Sequence, residues 1–268
     1  MKDNLLGMSC SSLGLAEAQR EVFRLKIEAS GGLGWSPRIR QRFGYFTPDE
    51  WYEAVLYRLV NSNTEWLDVG CGRSLFPSNP NLGSVLASRC KLLVGVDPDK
   101  NIDENSLLHE RQQCLINDYN TDREFDLISL RMVAEHISDP SATTSVLRRL
   151  TRIGGKVVIY TVSKWSVSSL VAAMTPMAFH HAAKALLWRS SPEDTFPTLY
   201  RMNTRKKLWD IFKSAGFVEE SFQYLDDCRS LARWYLPTIL ELSVERLLSA
   251  VGLRYPEICI LGIYRKEL

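Results

Sequence analysis

The feature that most constrains the fold is a short apolar strand that runs directly into a glycine turn. Residues 64–74 read Thr-Glu-Trp-Leu-Asp-Val-Gly-Cys-Gly-Arg-Ser, with Asp68 two positions before Gly70. Glycine reaches positive φ and lets a ligand approach the backbone with no Cβ in the way. Open α/β folds bind nucleotide-like ligands where a parallel strand ends in such a turn. Gly-x-Gly also occurs in ordinary turns, so the rest of the chain decides the interpretation.

Strand and helix patterns alternate with short connections on both sides of this turn. The predicted strands cover about 65–69, 91–96, 114–119, 124–130 and 156–161, followed later by 217–224 and 259–264. The predicted helices between them cover about 82–89, 103–111, 139–151 and 204–216, and further helical patterns occur at 15–27, 51–60, 230–235 and 239–251. This order predicts an α/β fold with a doubly wound, mostly parallel, seven-stranded sheet.

The same patterns divide the chain into four segments. We predict an N-terminal helical and aromatic extension over 1–46, a ligand-binding core over 47–161, an inserted helical cap over 162–203 and a C-terminal completion of the sheet over 204–268. The core begins at Thr47-Pro48-Asp49-Glu50, which has the sequence of a capping box. For the basic and aromatic end of the extension, an amphipathic wrap over the core is favoured over a binding lid.

Composition narrows the class of protein. The 268 residues carry 33 Lys and Arg against 31 Asp and Glu, a net charge of +2, which disfavours a sequence-independent nucleic-acid binder. Six scattered cysteines without a CxxC pair indicate reduced thiols. We see no signal peptide and no stretch that would span a membrane, so the cytoplasm is the expected compartment. The amphipathic stretches 166–188 and 239–251 leave peripheral membrane contact open, although a core-facing role explains them equally simply.

A second acidic residue follows the second predicted strand. Asp97, followed by Pro98, lies 25 residues after Gly72. A carboxylate there can accept both hydroxyl hydrogens of a ribose that is held over the glycine turn. The alternative is a plain turn signal, and the glycine strand upstream favours the ribose.

Taken together, these segments resemble the class I S-adenosylmethionine-dependent methyltransferases. The first motif of that family is similar to Asp68-Val69-Gly70-Cys71-Gly72, and its ribose-binding acid corresponds to Asp97. Asp118-Tyr119 lies where family members contact the adenine. Gly154-Gly155 resembles the glycine pair before strand five, and the resemblance covers roughly residues 47–161 together with the last strands.

The segment after the fourth strand looks like the branch that methylates small molecules and glycans, because Glu135-His136-Ile137 is followed by Pro140. Two positions depart from the family. Ser74 stands where a third glycine is frequent. Met132 stands where ubiquinone-type O-methyltransferases carry a metal-holding glutamate, so we predict no metal.

The resemblance implies S-adenosylmethionine as cofactor and assigns its contacts. The turn Gly70-Cys71-Gly72 would bind the methionine carboxylate through backbone N–H groups, and Asp68 would orient the turn or meet the ammonium group. Asp97 and Pro98 would lie at the ribose, and Asp118 and Tyr119 at the adenine. Arg131, just past strand four, could reach the cofactor carboxylate.

The acceptor side is less determined. His136 is the candidate general base for a hydroxyl acceptor, with Glu135 beside it, because imidazole has a suitable unperturbed pKa. The alternative is that the Glu135-His136 pair is structural. Further candidates for substrate contact are His180, His181, Tyr200 and Arg201. A sugar, a lipid-linked glycan and a hydrophobic small molecule fit the apolar insertion equally well, and the sequence leaves the oligomeric state open.

Three rival functions fit the sequence less well. A nicotinamide-dependent dehydrogenase expects a third glycine at the position of Leu75. A nucleic-acid methyltransferase expects an Asn/Asp-Pro-Pro-aromatic motif after strand four, which the chain lacks. A non-catalytic cofactor-binding partner subunit is disfavoured by the intact cofactor positions.

Overall fold

The structure is a computed structural model, and it describes residues 14–29, 35–164, 197–253 and 255–268. Its helices are α1 Leu15–Ala29, α2 Trp35–Phe43, α3 Pro48–Leu59, α4 Pro80–Arg89, α5 Pro140–Leu150, α6 Arg205–Ser214 and α7 Tyr235–Ala250. Its strands are β1 Glu65–Val69, β2 Leu92–Val96, β3 Glu110–Gln112, β4 Phe125–Arg131, β5 Thr151–Val162, β6 Phe217–Asp226 and β7 Glu257–Lys266.

The seven strands form one sheet in the order β3-β2-β1-β4-β5-β7-β6. Strands β1 to β5 are parallel, whereas β7 runs antiparallel between β5 and β6. The predicted doubly wound, mostly parallel, seven-stranded sheet is confirmed. Because parallel strands share one carboxyl edge, the loops after β1, β2, β4 and β5 all lie at that edge.

Apolar layers cover both faces of the sheet. Residues of β1 alternate between them, so Trp66 packs with α1, α3 and α4, while Leu67 packs with α5 and α6. The five residues of β1 are all buried, as expected for a central strand with helices on both faces. On the Trp66 face, Tyr52 stacks on Tyr160 with ring centroids 5.2 Å apart.

The N-terminal helices are joined to the core through Glu50. Thr47 and Glu50 form the predicted capping box of α3, with the Thr47 N–H 2.8 Å from Glu50 Oε2. The Glu50 carboxylate also accepts a hydrogen bond from Arg40 of α2 at 2.9 Å, and Lys26 of α1 lies 3.2 Å away. Both Glu50 and Arg40 are buried. The basic and aromatic run 38–46, for which a wrap over the core was favoured over a binding lid, therefore begins within a helix that is anchored to the core.

The connection from β2 to β3 differs from the prediction. A helix over 103–111 was expected, but the chain forms a 3-10 turn, Lys100–Glu104, whose start is capped by Asp99. The predicted strand over 114–119 is wrong, because β3 is Glu110–Gln112 and a 3-10 turn covers Ile116–Asp118. All three β3 residues are exposed on the sheet's outer edge, so this strand has no apolar signature.

Two smaller differences concern the second half of the chain. Strand β5 begins at Thr151 and includes Gly154-Gly155, with a register shift against β4, although the strand was expected to begin at residue 156. The helical pattern at 239–251 corresponds to α7, which begins at Tyr235, whereas the helix predicted over 230–235 is wrong because residues 230–234 form turns before α7. The predicted helical insertion, including the stretch 166–188, lies outside the described residues. Among the helices that are described, none is long and apolar enough to cross a membrane.

Candidate active site

The glycine turn after β1 lies at the carboxyl edge between β2 and β4. Val69, the last residue of β1, pairs with Val96 of β2 on one side and Leu130 of β4 on the other. The Gly70 N–H donates to the Val96 carbonyl at 2.7 Å. The segments after these three strands therefore converge on one place.

The two glycines of the turn meet different requirements. Gly70 has φ +71°, and a Cβ there would lie 2.2 Å from Cγ2 of Val133 in the segment after β4. Gly72 has φ +46°, but a Cβ there would meet no atom within 4 Å. Gly70 thus permits close packing inside the protein, whereas Gly72 leaves open space beside the turn.

Asp97 connects the glycine turn to the end of β2. Its Oδ2 accepts the Gly72 N–H at 2.9 Å, and its Oδ1 accepts the Asp99 N–H at 2.8 Å. The residue is buried, yet each carboxylate oxygen still has a second lone pair. Because the amides of Gly70 and Gly72 both donate within the protein, the turn would serve a ligand mainly through the room it leaves.

Cys71 and Asn105 support the glycine turn from the interior of the protein. The Cys71 side chain is buried against β2, where a Cβ at Gly95 would lie 2.7 Å from its Sγ. Burial raises the pKa of the Cys71 thiol. Asn105, also buried, donates through Nδ2 to the Gly72 carbonyl at 3.2 Å. The thiol is therefore a packing group, and only the Cys71 backbone faces the turn.

Asp68 ends a chain of hydrogen bonds between the neighbouring strands β1 and β4. The Trp66 Nε1–H donates to Ser129 Oγ at 2.7 Å, and the Ser129 hydroxyl donates to Asp68 Oδ1 at 2.5 Å. Burial raises the pKa of Asp68 to about 7, against the opposing effects of the Ser129 hydrogen bond and the Arg131 guanidinium. Asp68 is thus a buried carboxyl group poised to change charge near neutral pH.

Arg131 takes part in a cluster of charges beside the turn. Its guanidinium lies 3.7 Å from Asp49 Oδ1 at the start of α3. Asp49 also pairs with Arg229 at 3.0 Å and accepts the Tyr160 hydroxyl at 3.3 Å. Burial raises the pKa of Asp49, but Arg229 and Arg131 outweigh it and hold that pKa below its ordinary value. Arg131, predicted to reach a cofactor carboxylate, already has one carboxylate neighbour.

The predicted adenine residues follow β3. Asp118 is exposed at the end of its 3-10 turn, whereas the Tyr119 side chain is buried in the core. Leu115, just before that turn, is 54% exposed, and its neighbour Gln113 donates to the Pro98 carbonyl at 3.2 Å. Asp118 and Leu115 are therefore exposed in the segment after β3, whereas Tyr119 is a core residue.

Glu135 ties three segments together. Its Oε2 accepts the Thr161 hydroxyl at 2.6 Å, and Asn203 Nδ2 donates to the same Thr161 oxygen at 2.9 Å. The Glu135 carbonyl accepts the N–H groups of Leu199 and Tyr200 at 2.7 and 3.2 Å. Glu135 is buried, and both its Oε2 atom and its carbonyl are hydrogen-bonded within the protein. These contacts match the structural role that the sequence offered as the alternative to catalysis.

His136 is oriented by the segment that Glu135 holds. Its Nδ1 lies 3.2 Å from the Pro197 carbonyl. A carbonyl cannot donate, so in this contact Nδ1 carries the hydrogen, and in the neutral ring Nε2 then carries the lone pair. His136 is half-buried at the carboxyl edge. This tautomer is the one that accepts a proton at Nε2.

Strained backbone marks the same edge. Met132 and Tyr200 have φ +53° and +52°, and they are the non-glycine residues with positive φ among those described. Arg201, next to Tyr200, donates to the Ser138 carbonyl. Non-glycine residues in the left-handed region concentrate at functional sites. The predicted substrate residues Tyr200 and Arg201 are thus brought against the turn after β4, while His180 and His181 lie outside the described residues.

Several residues of this edge were not singled out from the sequence: Asp49, Asn105, Ser129, Thr161, Asn203 and Arg229. Ser129 had a usable signal, because it interrupts the apolar run of β4. The others act through contacts distant in sequence. Across the described ranges, no three His, Cys, Asp or Glu side chains are grouped so as to hold a metal ion.

The sheet order, the glycine turn after β1 and the buried acid after β2 define the class I S-adenosylmethionine-dependent methyltransferases. A family profile described as a methyltransferase domain matches residues 37–221, more than half of the chain. The chain belongs to this methyltransferase family. It is therefore an S-adenosylmethionine-dependent methyltransferase rather than the dehydrogenase considered above.

Solved structures agree on the fold. A SAM-dependent methyltransferase from Archaeoglobus fulgidus is 16% identical, with a TM-score of 0.52 over 87% of this chain and 100% of that one. Mycolic acid cyclopropane synthase CmaA1, solved with SAH and CTAB, is also 16% identical, with a TM-score of 0.51 over 94% of this chain and 95% of that one. No curated protein sequence matches the chain.

The residues present fit S-adenosylmethionine. The turn leaves open space beside Gly72, whose N–H donates to the buried Asp97, and a second buried carboxyl group, Asp68, precedes the turn. This set suits a ligand with a sulfonium, an ammonium and a ribose. The exposed Asp118 and Leu115 offer one polar and one apolar contact at the position expected for an adenine.

Proposed function

We propose that the protein methylates a hydroxyl group of a small molecule, sugar or lipid-linked glycan, with His136 as general base. The observation that supports it is the contact between His136 Nδ1 and the Pro197 carbonyl at 3.2 Å, which selects the tautomer able to accept a proton at Nε2. A hydroxyl acceptor must lose a proton during methylation, and imidazole is the side chain that most often takes a proton as general base.

The cofactor contacts of this proposal follow the carboxyl edge. Asp97 binds the ribose with the lone pairs that Gly72 and Asp99 leave, and Asp118 binds the adenine amino group. Asp68 faces the positively charged end, where its charge favours an ammonium or a sulfonium. Arg131 has Asp49 at 3.7 Å, a distance long enough to leave donors for the cofactor carboxylate.

When bound, S-adenosylmethionine supplies an electrophilic methyl group on a sulfonium. The residues of this chain align the acceptor and take its proton. Alignment supplies a large share of the rate in such a displacement. Glu135 acts as a positioning residue in this account, because its carbonyl and side chain hold Leu199, Tyr200 and Thr161 and thereby the segment that orients His136.

Transfer of a labelled methyl group tests the base. With a panel of sugars, phenols and lipid-linked glycan extracts as acceptors, the wild type should give a methyl ether, identified by NMR of the product. His136→Ala should lower turnover by roughly 10²–10⁴-fold, the range typical of a lost general base, with cofactor affinity unchanged. His109→Ala is the matched control, since the His109 ring lies beside β3, where its Nδ1 accepts the Leu93 N–H at 3.0 Å.

Full turnover by His136→Ala would remove the base from this proposal. A product methylated on nitrogen or carbon would contradict the choice of a hydroxyl acceptor.

A further inference from the structure

Helix α7 carries a stripe of exposed apolar side chains. Its large exposed residues are Leu236, Leu240, Val244, Leu247 and, just past its end, Val251, with exposures of 73, 64, 40, 64 and 62%. At 100° per residue these five positions fall within an arc of about 80°. Soluble monomers rarely expose large apolar side chains in one continuous patch unless that patch is a binding surface.

The exposed charged side chains near this stripe are of one sign. Within 230–253 they are Arg233 and Arg246, whereas Glu241 is buried and Glu245 is half-buried. Glu241 accepts the Leu231 N–H at 3.1 Å and the Tyr255 hydroxyl at 3.0 Å. Arg233 precedes the apolar stripe, and Arg246 flanks it about 80° from its edge at 100° per residue, so the exposed charge beside the stripe is positive.

An exposed aromatic residue lies at the start of this helix. Trp234 is 53% exposed, and the Arg233 guanidinium lies 5.9 Å from the centre of its ring, whereas Tyr235 packs against Trp35 of α2 with ring centroids 5.7 Å apart. Such amphipathic rings beside cations are favoured at the boundary between lipid headgroups and acyl chains. Helices that lie on membranes share this composition: an apolar face with aromatic residues, flanked by arginine or lysine.

From these observations we propose that α7, with Arg233 and Trp234 before it, binds the surface of a lipid bilayer that contains anionic headgroups. The apolar stripe enters the headgroup boundary, and Arg233 and Arg246 contact the phosphates. The occupant is chosen by charge complementarity, since an exposed face with positive charge and no exposed acid fits an anionic surface better than it fits a second copy of itself.

The position of α7 connects this surface to the site. The helix lies in the connection between β6 and β7, and that connection leaves the sheet where Asp226 pairs with Glu257, next to the end of β5. This is the edge that carries His136. Bilayer-held acceptors would then lie close to the site; this consequence rests on the proposed function, whereas the lipid contact does not.

Sedimentation of the full chain with vesicles tests the contact. The wild type should sediment with phosphatidylcholine vesicles that contain phosphatidylglycerol, and less at high salt. The double variant Leu240→Asp/Leu247→Asp should lose at least about tenfold in partitioning, because it places charge in the apolar stripe. Ile153→Asp is the matched control, because Ile153 is 63% exposed at the opposite edge of the sheet.

A second variant tests the charge. Arg233→Gln/Arg246→Gln should weaken binding to the anionic vesicles by roughly fivefold per arginine and leave binding to phosphatidylcholine alone unchanged. Melting temperatures of both double variants should stay close to that of the wild type, because the substituted side chains are exposed.

Four results would overturn the proposal. The first two are no sedimentation of the wild type with the vesicles and an equal loss of vesicle binding in Ile153→Asp. The third is a wild-type dimer in light scattering that does not bind vesicles and that Leu240→Asp/Leu247→Asp dissociates. The fourth is a large fall in the melting temperature of Leu240→Asp/Leu247→Asp. The last would mean that another part of the chain covers the stripe. Titration of S-adenosylmethionine on the same samples tests the proposed function separately.

Discussion

Gly70 and Gly72 are adjacent glycines of one motif, yet the structure gives them different tasks. The space beside Gly70 is filled by Val133, and the space beside Gly72 is open. A sequence motif alone does not distinguish these two cases, because both residues have positive φ. The residue whose replacement should affect the ligand more than the fold is therefore Gly72.

We predict that Gly72→Ala weakens S-adenosylmethionine binding by at least about tenfold while the protein remains folded. An alanine at positive φ costs about 1–2 kcal/mol in unfolding free energy, and its methyl group fills space that the ligand would use. Gly154→Ala is the control, because Gly154 has φ +79° and a Cβ there also meets nothing within 4 Å. Titration calorimetry and urea unfolding should show equal stability losses and a loss of affinity only at Gly72. Equal affinities would contradict this role.

The raised pKa of Asp68 predicts a pH dependence of stability. In the unfolded chain its pKa returns to about 3.8, whereas burial raises it to about 7 in the folded protein. The folded state therefore retains a proton that the unfolded state has released, so the Asp68 contribution falls as the pH rises from about 4 to 7. Between pH 5 and 8 the unfolding free energy of Asp68→Asn should improve relative to wild type by roughly 2–3 kcal/mol. A constant difference across this range would show that Asp68 has an ordinary pKa.

At the level of elements, α3 is where the N-terminal helices are attached. Thr47, Pro48 and Glu50 predicted its start from the sequence alone, because a capping box is a local signal. The second task of Glu50 is not local. Its carboxylate also meets Arg40 and Lys26 from two other helices, and neither partner follows from spacing.

We predict that Glu50→Gln lowers the unfolding free energy by about 3–5 kcal/mol, because it leaves the buried Arg40 without its counter-charge. Urea unfolding followed by circular dichroism measures this. Glu21→Gln, which removes one partner of the surface pair with Arg24 on α1, should stay within error of the wild type. Similar effects of the two variants would mean that the Glu50 ion pair does not anchor the helices.

Strands β1 and β2, which the sequence predicted correctly, are buried, whereas β3, which it misplaced, is exposed. Strands β1 and β2 are apolar because helices cover both faces, so their sequences identify them. Strand β3 is short and exposed, and the apolar residues that suggested a strand, Leu115 and Ile116, lie in the turn after it. The connection before β3 is a 3-10 turn, in part because the Asp99 side chain caps the Asn101 N–H at 2.9 Å.

For the whole molecule, the order of the motifs along the chain determined the sheet and the edge at which the site lies. The sequence could place Gly70 and Asp97 at this edge because each directly follows a strand. The acceptor side was not, because it depends on contacts between distant segments, such as Glu135 with Thr161 and His136 with Pro197. Met132 and Tyr200, the non-glycine residues with positive φ among those described, lie at the same carboxyl edge.

The central claim is that this carboxyl edge binds S-adenosylmethionine. Titration calorimetry of the full chain with S-adenosylmethionine, and separately with NAD, measures it directly. We predict one binding site for S-adenosylmethionine and no heat of binding for NAD. Failure to bind S-adenosylmethionine, or saturable binding of NAD in its place, would contradict the account.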